Sequence, residues 1–195
     1  MKQLLITGFD PFGGEQINPS WEAVKELPDP IGEYQIIKLQ IPTVFGVAAA
    51  KVMAAAEELK PDVILSVGQA GGRKAVTPEV VGINLQEAGI PDNTGNQPVN
   101  IPVVAGGPDG YFSTVPVRDM VNAIRSADIP AALSYSAGAF VCNDVLYTLL
   151  HRFHGTGTRV GFIHVPFLPE QAAAGQPSME QAQIVQALIL AISVL

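Results

Sequence analysis

Two patterns of apolar positions alternate along this chain. Short apolar runs at residues 4–8, 34–41, 63–67, 131–135 and 159–165 have the length and composition of buried strands. Between them lie segments with helical spacing. Asn18 and Pro19 read as an N-cap and a first helical residue, opening a helix through Trp21 and Val24. Phe45, Ala48, Val52, Ala55 and Leu59 repeat at helical intervals, and Lys60-Pro61 stops them. Further helices are predicted over 117–126, 143–153 and 179–194. A weaker strand is predicted over 80–85, and turn chemistry fills 91–98 and 106–110. Strands alternating with helices imply crossover connections. The expected fold is therefore α/β, a largely parallel sheet with helices on both faces, in one domain over residues 1–195. In such sheets ligands bind beyond the carboxyl ends of the strands. That rule singles out the loops at 9–14, 68–79, 136–142 and 164–169.

Composition narrows the function classes. With 48% hydrophobic and 15% charged residues the chain can bury a sizeable core. Its net charge of −7 and its scattered basic residues exclude an electrostatic grip on nucleic acid. One cysteine permits no intrachain disulfide, which suits a reducing compartment, and a cytoplasmic location is expected. The apolar run near the N-terminus meets Asp10 too soon for a secretory signal. The apolar C-terminal run, 184–195, falls short of the roughly 20 residues that span a bilayer. It reads as a core or subunit-contact helix, and no membrane partner is expected.

Cys142 follows the predicted strand 131–135 through the turn Ser136-Ala137-Gly138 and opens a helix. A helix N-terminus favours a thiolate, so a lowered thiol pKa is expected. The free N–H groups of that first turn, at Val141 and Cys142, are placed to hold an oxyanion. Three histidines are candidates for a base. His151 lies nine residues along the same helix, a rise of roughly 13 Å, and cannot reach the thiol. His154 sits still further along. His164 ends the strand 159–165; if that strand neighbours 131–135, the thiol and the imidazole share one rim. Glu79, Asp92, Asp10 and Asp144 all remain open as the acid that orients the imidazole. The loop Gly68-Gln69-Ala70-Gly71-Gly72-Arg73 matches neither the dinucleotide nor the Walker pattern. Its glycines read as a close approach of backbone to a small ligand.

Several ordered motifs resemble the pyroglutamyl peptidase I family of cysteine peptidases. TGFDPFGG and NPSWEAV are similar to its opening. GQAGGRKAVTPEVVGIN is similar to its glutamate signature, and LSYSAGAFVCN to its cysteine signature. IPDNTGNQP, HVPFLPEQ and QPSM resemble further blocks. The resemblance implies a three-layer α/β/α sandwich around a largely parallel, mixed sheet, frequently assembled as a tetramer, with no metal and no cofactor. It implies hydrolysis of the N-terminal pyroglutamyl residue from peptides through a thioacyl-enzyme. It also implies a triad of Cys142 as nucleophile, His164 as base and Glu79 as the orienting acid; for Glu79 the resemblance alone makes the choice. Phe9 and Phe12 are implied to flank the lactam ring. Gln69 is expected in the pocket wall, and Phe140 lies two residues before the nucleophile. Two positions depart from the family pattern, Val80 after the glutamate and Gly89 before Ile-Pro-Asp, where the family carries charge. Two other readings stand beside this one. In one, an α/β phosphorylase or nucleosidase binds phosphate in the Gly68 loop. In the other, a binding protein keeps the fold without turnover.

Overall fold

A computed structural model describes residues 1–195. The elements run β1 (Lys2–Phe9), α1 (Pro19–Glu26), β2 (Tyr34–Ile41), α2 (Val47–Leu59), β3 (Val63–Gln69), β4 (Thr77–Pro78), β5 (Val81–Ile83), β6 (Gly110–Phe112), α3 (Val117–Arg125), α4 (Val141–Arg152), β7 (Arg159–Val165) and α5 (Gln181–Ile192). The central sheet has the order β2-β1-β3-β7-β4. Its first four strands are parallel, and short β4 runs antiparallel to β7. β1, β3 and β7 are almost wholly buried, as near-continuous apolar runs covered on both faces must be.

Two apolar clusters make the layers. One packs α1, α3 and α5 on one face of the sheet, with Leu4, Ile6, Leu65 and Ile163 beneath them. The other packs α2 and α4 on the opposite face, with Leu5, Ile64 and Phe162 beneath. The expected three-layer sandwich and mixed sheet are therefore present. α5 is a core helix: Ile184, Ala187, Leu188, Ala191 and Ile192 are buried, and it packs on α1 and α3. No helix is long and apolar enough to cross a membrane.

Asn18 caps α1 as expected, its side-chain oxygen accepting from Ser20 N at 3.1 Å with Pro19 in the first turn. Ser20 Oγ in turn accepts the N–H of Phe9 at 2.9 Å, fastening the end of β1 to the start of α1.

One expectation fails. Residues 131–135 form no strand; they make isolated bridges, Val76 with Ala131 and Glu79 with Ser134, outside β4. They are not the neighbour of β7, because β4 lies between and β7 has β3 on its other side. Lateral adjacency of those two segments therefore does not bring Cys142 to His164. The weak strand at 80–85 shrinks to β5, and its antiparallel partner β6 rises from a stretch that reads as loop.

Candidate active site

Three loops at the carboxyl ends of β1, β3 and β7 meet the N-terminus of α4. Cys142 is the second residue of α4, half-buried, and reached through Gly138 in the left-handed region at φ +74°. Asn143 pins this helix end: its amide donates to Ile83 O (2.9 Å) and Leu85 O (3.0 Å) and accepts from Ile83 N (2.9 Å). Asp144 adds a second anchor, accepting from Gly46 N at 2.9 Å and from Gln86 Nε2 at 2.6 Å. The N–H groups of Val141, Cys142 and Asn143 donate to no acceptor, and no side chain caps the helix. These free donors lie where an oxyanion can be held.

The link from thiol to imidazole runs through a glycine. Gly68 on β3 is the register partner of His164 on β7. A Cβ added at Gly68 would stand 2.8 Å from Cys142 Sγ and 2.8 Å from the Phe162 ring. The sulfur therefore lies against Gly68, the register partner of His164, in space that only glycine leaves open. Cys142 and His164 both line one cavity.

His164 Nδ1 lies 2.7 Å from Glu79 Oε1. Both are buried, at 3% and 0% exposure, so neither charge is shared with water. β4 positions the acid: it carries Thr77 opposite His164, and Glu79 follows, its N–H donating to Phe162 O at 2.9 Å. The other acids are committed elsewhere. Asp10 accepts from Thr43 N and Asn93 Nδ2. Asp92 accepts from Phe45 N, Thr94 and Asn96 N. Asp144 holds α4. Of the four, Glu79 is the one bonded to the imidazole.

Burial pushes the Glu79 carboxyl up, but the His164 bond and charge and the Arg73 guanidinium outweigh it, holding it below the usual carboxylate range. Ser134 donates to Ser136 O rather than to the carboxylate, and Glu79 Oε2 has no hydrogen-bond partner. Burial lowers His164 below the ordinary imidazole value against the opposing pull of Glu79. The Cys142 thiol is pushed up to about 12, by burial first and the Glu79 charge second. This runs opposite to the lowered value expected from its helix position, because burial disfavours the anion. Both shifts favour the uncharged forms, thiol and imidazole.

The cavity holds about 270 Å³. Phe9, Phe12, Ala137 and Phe140 give it apolar walls, and Asn18, Thr43, Gln69 and Arg73 supply polar points. Phe9 is 2% exposed and packs on Phe162 at 6.3 Å, so it is as much core as wall. Phe12 is half-buried and packs tilted against Phe140 at 5.9 Å, and Phe140 meets Phe45 edge-on at 5.2 Å. Gln69 Oε1 accepts from Gln171 Nε2 at 3.1 Å, leaving its own Nε2 without a protein partner. His151 and His154 lie outside this site, against Tyr111. No helix follows the Gly68 loop, which leads into β4, so it offers no helix N-terminus to a phosphate. Of the two departures, Gly89 has nothing within 4 Å of an added Cβ. Val80 is bound into the backbone network through Ser134 O and Ser113 N.

Arg73 escapes the sequence reading. Its Nη1 donates to Glu79 Oε1 at 2.7 Å, and it stands in the cavity wall. The available signal was a cation on a rim loop, six residues before the implicated acid.

Comparison with known proteins gives one answer throughout. The model of the peptidase family C15, described as pyroglutamyl peptidase, matches residues 2–195. A pyrrolidone-carboxylate peptidase of Escherichia fergusonii is 53% identical, over 98% of this chain and 92% of its own. Another, from Yersinia pestis, is 49% identical over 100% and 93%. Among solved structures, pyroglutamyl peptidase I of Bacillus amyloliquefaciens superposes with a TM-score of 0.96 at 47% identity, covering 100% of this chain and 96% of that one. A mutant pyrrolidone carboxyl peptidase of Pyrococcus furiosus gives 0.94 at 39%, over 98% and 97%.

Proposed function

The chain belongs to the pyroglutamyl peptidase family, and from that premise we propose how it removes an N-terminal pyroglutamyl residue from a peptide. Cys142 is the nucleophile, His164 the general base and acid, and Glu79 the acid that orients His164. The observation that carries this reading is the Cys142 sulfur against Gly68, the register partner of His164, in one cavity with His164, which is bonded to buried Glu79.

His164 takes the thiol proton as Sγ attacks the pyroglutamyl carbonyl carbon. Transfer happens on attack because both groups favour their uncharged forms. Backbone N–H groups of Val141 and Cys142 receive the oxyanion. Glu79 accepts from Nδ1–H, fixing the tautomer that leaves Nε2 free and stabilising the imidazolium as it forms. The tetrahedral intermediate collapses with cleavage of the C–N bond, and His164 gives its proton to the leaving amine. His164 then deprotonates a water that attacks the thioester. The C–S bond breaks, pyroglutamate leaves, and Cys142 regains its proton.

Pyroglutamate has no α-ammonium, because its nitrogen is part of the lactam. The cavity accordingly presents no carboxylate; its lining is aromatic with a few neutral polar groups and one cation. Phe12 and Phe140 are proposed to cover the ring faces, with Phe9 behind them. The free Nε2 of Gln69 suits the lactam carbonyl. The single thiol must stay reduced to act, which favours the cytoplasm. Assembly into a homo-oligomer belongs to the same proposal; exposed Val99, Ile101 and Phe112 are apolar surface that a subunit contact would cover. Selective hydrolysis of a pyroglutamyl amide tests the activity, and sedimentation tests the assembly.

A further inference from the structure

Arg73 joins three segments. Its Nη1 donates to Glu79 Oε1 (2.7 Å) and Thr77 Oγ1 (2.5 Å), and its Nη2 donates to Ser136 O (3.1 Å). Oε1 of Glu79 thereby serves two donors, Arg73 and His164 Nδ1. The Ser136 carbonyl belongs to the turn that delivers Cys142. The loop is built to bring the guanidinium here. Gly71 lies against the Phe167 ring, where an added Cβ would sit 2.2 Å from Cζ, and Gly72 takes φ +84°. Arg73 N then closes the turn on Ala70 O at 3.3 Å.

We propose that Arg73 is a positioning residue of the triad, a guanidinium clamp that locks the Glu79–His164 pair to the Cys142 turn. This rests on the triad reading above. Glu79 is buried and carries its charge beside an imidazole that favours its uncharged form, so without Arg73 it has no permanent cation. A buried carboxylate in that state takes up a proton or loosens. The titratable groups around His164 are Glu79 from the segment after β4, Cys142 from α4 and Arg73 from the loop after β3. Arg73 pulls the affinities of Glu79, His164 and Cys142 in one direction, downward. Its planar fork reaches Glu79 and Ser136 together, which a lysine ammonium cannot do in the same geometry.

Removing one positive charge raises the proton affinity of every titratable neighbour. For R73M, both limbs of the kcat/KM–pH profile on a pyroglutamyl amide should move to higher pH by on the order of one unit, with kcat falling more than KM rises. The direction is the same whether the reactive form is thiol with imidazole or thiolate with imidazolium. R73K keeps the charge and loses the tie to Ser136, so its limbs should stay near wild type while kcat falls. Iodoacetamide alkylation of Cys142, the only thiol in the chain, gives a readout that needs no turnover. At pH 9 its rate should drop by on the order of fourfold in R73M, since tenfold less thiolate is partly offset by higher nucleophilicity, and should hold in R73K. Limbs and alkylation rates unchanged in folded R73M would overturn the proposal. So would a rise in KM alone, which would make Arg73 a substrate contact. If R73M does not fold, R73Q takes its place, and pH limbs in R73Q that coincide with those of R73K and wild type would overturn the proposal as well. A wild type that leaves the pyroglutamyl amide intact would sink the peptidase reading, while the alkylation rates would still report on Arg73.

Discussion

Nδ1 of His164 lies 2.7 Å from Oε1 of Glu79, a residue 85 positions earlier in the chain, and both partners are buried. In the proposed mechanism, a buried, charge-assisted bond of this kind orients the ring and supports the imidazolium formed when the thiol gives up its proton. Replacing Glu79 with Gln keeps the volume and removes the charge. The expected loss in kcat/KM on a pyroglutamyl amide is on the order of 10²–10⁴-fold, with the circular dichroism spectrum retained. Activity within threefold of wild type would show that Glu79 has no part in the reaction.

The Cys142 thiol gives an alkaline signature. Its folded pKa is raised, chiefly by burial, above the unfolded value of about 8.5. A raised folded value contributes stability that is complete below the unfolded pKa and is lost as pH climbs towards the folded one. Wild type should therefore lose melting temperature relative to Cys142→Ala between about pH 8.5 and 11. Parallel melting curves for the two proteins across that range would contradict a desolvated resting thiol.

His164 gives the opposite window. Burial lowers its folded pKa, so the unfolded chain binds a proton that the folded chain refuses. Stability should fall as pH drops below the ordinary imidazole value of about 6.5, and the depressed Glu79 carboxyl adds to the loss further down. For the same reason the acidic limb of kcat/KM should lie below about 6.5. A limb above that value, read from a pH–rate profile, would mean that the base is held in its charged form.

Phe9 and Phe12 should separate. Phe9 is buried on Phe162, so Phe9→Ala should cost about 3–5 kcal/mol of folding stability in a urea melt. Phe12 is half-buried on the cavity wall, so Phe12→Ala should raise KM severalfold and lower kcat/KM with a smaller loss of stability. Unchanged kinetics for Phe12→Ala would remove it from the pocket.

Much of this architecture is legible in the sequence. β7 stands at the residues its apolar run predicts, because a strand buried on both faces announces itself without tertiary context. Asn18-Pro19 opens its helix because both residues act locally. β4 and β6 span two and three residues, too few for any periodicity, and exist only through their partners. The run at 131–135 has strand composition, yet it finds only bridges at the sheet edge.

The site divides in the same way. Cys142 and His164 stand out as a lone thiol at a helix start and an imidazole at a strand end. Adjacent strands do not join them; the Cys142 sulfur lies against Gly68, the register partner of His164. Glu79 had to come from resemblance, since the pairing that delivers it is a two-residue contact with a distant strand. The thiol's raised pKa depends on enclosure, which no local pattern reports. Arg73 escaped because its partners are set by the turn at Gly71 and Gly72.

The most direct test of the account is release of a fluorophore from a pyroglutamyl amide, measured for wild type and Cys142→Ala under reducing conditions with the alanyl amide as control. The account predicts hydrolysis of the pyroglutamyl compound alone and its loss in the variant. Equal hydrolysis by the variant, or none by well-folded wild type, would contradict it.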